Sequence, residues 1–114
     1  MTIQFNTDKS VPGNEEFTAT FLNLIEEGLS RYDHHITRLE VHLSDEDGLK
    51  EGMNTKRCLL EARLKGRQPF SVINQSDSYD QAISGALDKL TTSLDTILGR
   101  LGNHQRKRID KTGL

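Results

Sequence analysis

The sequence predicts an α+β domain with the element order β-α-β-β-β-α, a four-stranded sheet with two helices packed on one face. Three observations carry that prediction. Residues 36–43, 56–64 and 69–74 alternate apolar and polar side chains at the period of a half-buried strand. Ile83, Leu87, Leu90, Leu94, Ile97 and Leu101 recur at gaps of 4, 3, 4, 3 and 4, which keeps them on one side of a helix. Only one side of each strand is apolar, so both helices must cover that side and the other is left to solvent or to a partner.

The elements follow in order. Thr2-Ile3-Gln4-Phe5 alternates as a short strand, and residues 7–13 form a loop punctuated by Pro12 and Gly13. Asn14 is placed as an N-cap, with Glu15 and Glu16 in the first turn, where the helix dipole favours negative charge. The helix is expected to reach about Tyr32, with Phe17, Phe21, Leu24, Ile25, Leu29 and Tyr32 as its apolar face. Gly28 within it lowers helix propensity by about 1 kcal/mol relative to Ala and marks close packing against a neighbour.

Residues 36–43 place Leu39, Val41 and Leu43 inward and Arg38, Glu40 and His42 outward, and strand, helix and strand in sequence imply a right-handed parallel crossover. Residues 45–55 read as a polar loop containing Gly48 and Gly52. Strands 56–64 and 69–74 form an antiparallel hairpin across Lys65-Gly66-Arg67-Gln68, with Cys58, Leu60, Ala62, Leu64, Phe70 and Val72 inward. The last helix opens at Asp77 or at Ser78, whose spacing to Gln81 is that of a capping box, and Gly102 is expected to close it. This divides the chain into a domain over residues 1–102 and a basic tail over residues 103–114, expected to be disordered when free.

Composition narrows the function. A 114-residue chain with 33% apolar residues and no Trp builds one modest core with much polar surface. Cys58 is the only cysteine, so no internal disulfide can form, and its inward position reads as core filler in a reducing compartment. Neither a secretory leader nor a membrane span is visible in the hydropathy pattern, so a cytoplasmic protein without a membrane partner is expected. The net charge of −2 hides an asymmetry. Residues 1–55 hold 4 basic and 11 acidic side chains, net −7, and residues 56–114 hold 11 basic and 6 acidic, net +5. A polyanion would meet the second half.

No catalytic residue, cofactor, small-molecule substrate or metal is assigned. His34 and His35 adjoin Asp33, but adjacent histidines point apart, and a surface turn accounts for them. Asp45-Glu46-Asp47-Gly48 has its glycine two positions too early for a calcium loop, and Lys56 stands where that loop ends in an acidic residue. Serines fall in caps and turns, without a neighbouring base. Gly99-Arg100-Leu101-Gly102 matches a nucleic-acid clamping loop in four letters only. What remains is a basic surface. Arg38, Arg57 and Arg63 project from the open sheet face, Lys65 and Arg67 lie in the hairpin turn, Lys89 and Arg100 flank the helix stripe, and Arg106, Lys107 and Arg108 crowd the tail. Such residues suit phosphate contacts, while Glu40 and Glu61 on the same face equally suit a solvated, charge-compensated edge.

Asp77-Ser78-Tyr79-Asp80-Gln81-Ala82-Ile83 followed by Leu87-Asp88-Lys89-Leu90, entered from a strand, resembles the last-helix signature of the ribosome hibernation-promoting factor and ribosome-associated inhibitor family, also called the sigma-54 modulation protein family. The order of elements over residues 1–102 is similar to that family's as well. The resemblance implies a non-enzymatic protein that binds the small ribosomal subunit and its ribosomal RNA in the channel used by messenger and transfer RNA, and holds the ribosome idle under stress. It further implies the short form, without the second domain that longer members use for ribosome dimerisation. The family usually carries Lys and Arg along the second half of this helix, where the present chain has Thr91-Thr92-Ser93-Leu94-Asp95-Thr96. The first helix is acidic, with Glu15, Glu16, Glu26 and Glu27, so RNA contacts are expected from the sheet, hairpin and tail. The alternative is a module of the same fold that no longer binds the ribosome and docks a protein through its acidic helix or open sheet face.

Overall fold

The computed structural model describes residues 1–9, 11, 14–46 and 55–113, with side chains described as far as residue 99. Strand β1 (Thr2–Thr7), helix α1 (Glu15–Gly28), β2 (Ile36–Asp45), β3 (Lys56–Leu64), β4 (Phe70–Ser76) and helix α2 (Tyr79–Gly113) follow one another in the expected order. The sheet runs β1-β2-β3-β4, with β1 parallel to β2 and the other neighbours antiparallel. The parallel pair is joined through α1, as the crossover predicts.

One core lies between the sheet and the helices. Leu39, Val41 and Leu43 of β2 and Cys58, Leu60, Ala62 and Leu64 of β3 meet Ile25 and Leu29 from the α1 side and Ala82, Ile83, Ala86, Leu90 and Leu94 of α2. The α2 stripe is therefore the face that docks on the sheet, and Ile97 packs at its margin. Gly28 lets α1 pack closely on α2, since a Cβ there would come within 3.2 Å of Leu87 Cδ1. Phe17 stacks edge-on against both Phe21 and Tyr79, with centroids 4.7 and 5.4 Å apart, which ties the start of α1 to the start of α2.

Helix starts and stops follow local chemistry. Asn14 caps α1 by accepting from the Phe17 N–H at 2.8 Å. The helix ends at Gly28, earlier than its apolar spacing suggests. There Ser30 Oγ donates to the Glu27 carbonyl, and the chain tightens into a 3-10 turn, Ser30–Tyr32, that still buries Leu29 and Tyr32. Ser78 accepts from the Gln81 N–H at 3.2 Å, so it is the cap of α2, but the Gln81 side chain meets Ser76 Oγ instead of closing the box. Strand β4 starts at Phe70, one residue after Pro69. At its far end α2 passes Gly102 and continues through Gly113, in keeping with the helix-forming Gln, Arg and Lys of residues 105–111.

Candidate nucleic-acid interface

The open face of the sheet is written in cross-strand rows. Arg38 stands opposite Arg63, Glu40 opposite Glu61, His42 opposite Leu59, and Ser44 opposite Arg57. Like charges placed directly opposite repel. The repulsion is relieved by neighbours two residues along the same strand, where Glu40 lies 3.4 Å from Arg38 and 3.6 Å from His42 and Glu61 lies 3.8 Å from Arg63, and by one diagonal, Glu40 to Arg63 at 3.9 Å. Arg38 also bonds Gln4 across the parallel pair. At the opposite end of the sheet Arg57 meets Glu46 at 3.6 Å on this face, while Lys56 meets Asp45 at 2.7 Å on the helix side, its Nζ 5.7 Å from the Tyr79 ring centroid. The sheet face is thus charge-compensated, as Glu40 and Glu61 suggest in the sequence. Exposed pairs of this kind contribute about 0–1 kcal/mol each, so an approaching phosphate can take over the half-exposed Arg38 and Arg63 at little cost.

The hairpin turn differs. Gly66 takes a φ of +69°, a left-handed conformation that turns the chain back without a Cβ penalty. Lys65 and Arg67 on either side are exposed, and among the described residues no ion pair reaches them. Lys89 is also exposed, but its Nζ donates to the Ile73 carbonyl at 2.8 Å, so it covers a backbone acceptor on the edge strand β4. The side chains of Arg100, Arg106, Lys107 and Arg108 lie outside the described residues.

The helix layer is of the other sign. Glu15, Glu16, Glu26 and Glu27 of α1 and Asp80 and Asp88 of α2 are exposed, and Glu27 and Asp88 border a groove between the helices that is partly walled by Leu24 and Leu87. Sequence reasoning missed the role of Asp95, which lies in the charge-poor half of α2. Tyr32 Oη donates to its carboxylate, and Arg31 pairs with it at 3.1 Å while lying over the Tyr32 ring at 4.7 Å. Burial, then the bond to Asp95, raises the Tyr32 hydroxyl above its ordinary value. The only signal in the sequence is an Arg-Tyr pair at the end of the first helix pattern and an acid on the last, with nothing to say that the two meet.

No group capable of holding a metal is found among the described residues; His34 and His35 lie exposed in the turn that enters β2. Cys58 is fully buried, and burial pushes its thiol up to about 12, which leaves it protonated and unreactive. Among the described residues, no helix is long and apolar enough to cross a membrane.

A mixed four-stranded sheet, covered by two helices on one side and open on the other with cations at its hairpin end, defines a small α+β domain. The chain belongs to the family described as sigma 54 modulation protein / S30EA ribosomal protein, whose signature it matches over residues 13–101. No curated protein matches it. Among solved structures it is similar to the N-terminal domain of Protein Y from Thermus thermophilus, at 20% identity and a TM-score of 0.62, covering 85% of this chain and 99% of the other. It is also similar to a ribosomal subunit interface protein from Coxiella burnetii, at 19% identity and a TM-score of 0.64, covering 87% and 99% respectively. At these identities the likeness shows the shared fold.

Proposed function

We propose that this protein is a ribosome-associated factor that binds the small ribosomal subunit through its ribosomal RNA and holds it idle, a cytoplasmic regulator of translation and not an enzyme. Family membership over residues 13–101 is the observation that carries the reading. The charge distribution supports a particular side of the molecule. The hairpin cations Lys65 and Arg67, the loosely paired Arg38 and Arg63, and the basic segment 103–114 present positive charge, while the exposed carboxylates of both helices would repel phosphate. The contacts are to backbone phosphate and carry no sequence information.

Co-sedimentation of the purified protein with small ribosomal subunits at low and moderate salt tests this reading. Binding that weakens as salt rises is the expected result, and no association at low salt would refute it. The acidic helix layer favours one second reading, a protein-docking module of the same fold without ribosome affinity. That module would bind a basic protein through α1 and be indifferent to the hairpin cations.

A further inference from the structure

We propose that the turn entering β2 and the β3–β4 hairpin turn form one phosphodiester-binding corner, in which His34 and His35 donate to RNA phosphate beside Lys65 and Arg67. The inference rests on the nucleic-acid reading above and adds to it two residues that sequence reasoning leaves as a surface turn.

The topology brings the two turns together. Ile36 pairs with Leu64 at the end of the β2–β3 ladder, Thr37 Oγ1 donates to the Arg63 carbonyl at 3.0 Å, and the Lys65 N–H donates to the His35 carbonyl at 3.3 Å. His34, His35, Lys65 and Arg67 are all exposed there, and the Arg38–Arg63 row lies immediately next along the open face. Neighbouring strands are about 4.8 Å apart, so these donors occupy a strip only two to three strands wide. Asp33 is the one carboxylate in the turn, and the terminal amine of Met1 lies 3.4 Å from it, which offsets its charge.

The contrast with the other end of the sheet gives the corner its sign. Lys56 and Arg57 are each matched by a carboxylate, whereas no ion pair reaches His34, His35, Lys65 or Arg67 among the described residues. All four side chains are exposed, so a single small anion bound there would keep most of its hydration and gain little. A chain of phosphates engages several donors at once, and both imidazole N–H groups and cationic side chains serve such oxygens. The ligand chemistry is therefore that of an RNA backbone.

The test uses the full-length protein and purified small ribosomal subunits, with affinity measured over a series of salt concentrations. The His34→Ala, His35→Ala pair should weaken binding by about fivefold, the scale of one ordinary solvent-exposed hydrogen bond. The Lys65→Gln, Arg67→Gln pair should weaken it further and flatten the log–log salt slope by roughly 1.4 to 1.8. The Lys56→Gln, Arg57→Gln pair should cost less than the Lys65, Arg67 pair. Thermal unfolding of each variant verifies that it folds. Histidine variants that bind within twofold of the parent, or a larger loss at Lys56 and Arg57, would overturn the corner while leaving the ribosome reading intact. No binding by the parent protein would overturn both. Equal affinity of the parent for vesicles of phosphatidylglycerol would overturn the assignment to RNA.

Discussion

Asn74 of β4 and Gly85 of α2 interlock: the Asn74 side-chain amide donates to the Gln81 and Ala82 carbonyls at 3.3 and 3.2 Å, through space that a Cβ on Gly85 would occupy. Asn74 continues the inward register of Phe70 and Val72, so a polar residue stands on the core side of the last strand. It serves there as a strap between sheet and helix.

The strap predicts a sign reversal. Gly85→Ala should destabilise the domain by about 1 kcal/mol, because overpacking costs about 1–3 kcal/mol and the gain in helix propensity returns up to about 1. In an Asn74→Ala background the same substitution should stabilise. Urea unfolding of the two single variants and the double variant measures the coupling, and simple additivity would contradict the interlock.

Leu90 is fully buried in the α2 stripe, and Leu90→Ala should cost about 2–5 kcal/mol. Ile73→Ala, on the open face and 41% exposed, should cost well under half as much. Comparable losses at the two positions in chemical denaturation would mean that the helix docks on the other side of the sheet.

Alkaline pH should unfold the protein earlier than a Tyr32→Phe variant. The Tyr32 hydroxyl is raised by burial and by its bond to Asp95, so the folded state favours the neutral phenol. A group raised in this way contributes stability that is complete below the ordinary tyrosine range, near 10, and is lost as pH climbs through the higher folded value. Burial raises Tyr79 and Cys58 in the same direction, so the variant should lessen the alkaline loss without abolishing it. Melting curves between pH 8 and about 11 distinguish the two proteins.

Cys58 should resist a thiol reagent in the folded protein at pH 8 and react stoichiometrically in denaturant. Its side chain is fully buried and its thiol is pushed up to about 12, so almost no thiolate exists to react. Rapid labelling under native conditions would contradict the core position.

Much of this architecture is legible in the sequence because it depends on local period. The alternation through Leu39, Val41 and Leu43, and the helical stripe from Ile83 to Leu94, each encode which side faces the core. Asn14 and Ser78 mark helix starts because capping is a contact within three residues. What stayed hidden depends on residues distant in sequence. The Asp95 contact to Arg31 and Tyr32 spans more than sixty positions, and Asn74 reads as an ordinary polar strand end until Gly85 is placed beside it. The candidate surface was legible only by charge. Arg38, Arg57 and Arg63 point to the open face in the sequence, but their partners Glu40, Glu46 and Glu61, and the use of Lys89 to cover an edge carbonyl, follow from strand register and helix docking.

The central claim, that RNA meets the sheet and hairpin side and not the helix layer, is tested most directly by paired charge reversals assayed for binding to small ribosomal subunits. Arg63→Glu with Arg67→Glu should weaken binding by more than tenfold and flatten its salt dependence, since each lost phosphate contact reduces the slope by roughly 0.7 to 0.9. Glu26→Lys with Glu27→Lys, on the exposed acidic side of α1, should leave affinity unchanged or raise it. Undiminished binding by the arginine pair, together with loss of binding by the glutamate pair, would contradict the account and favour a basic protein docked on the helices.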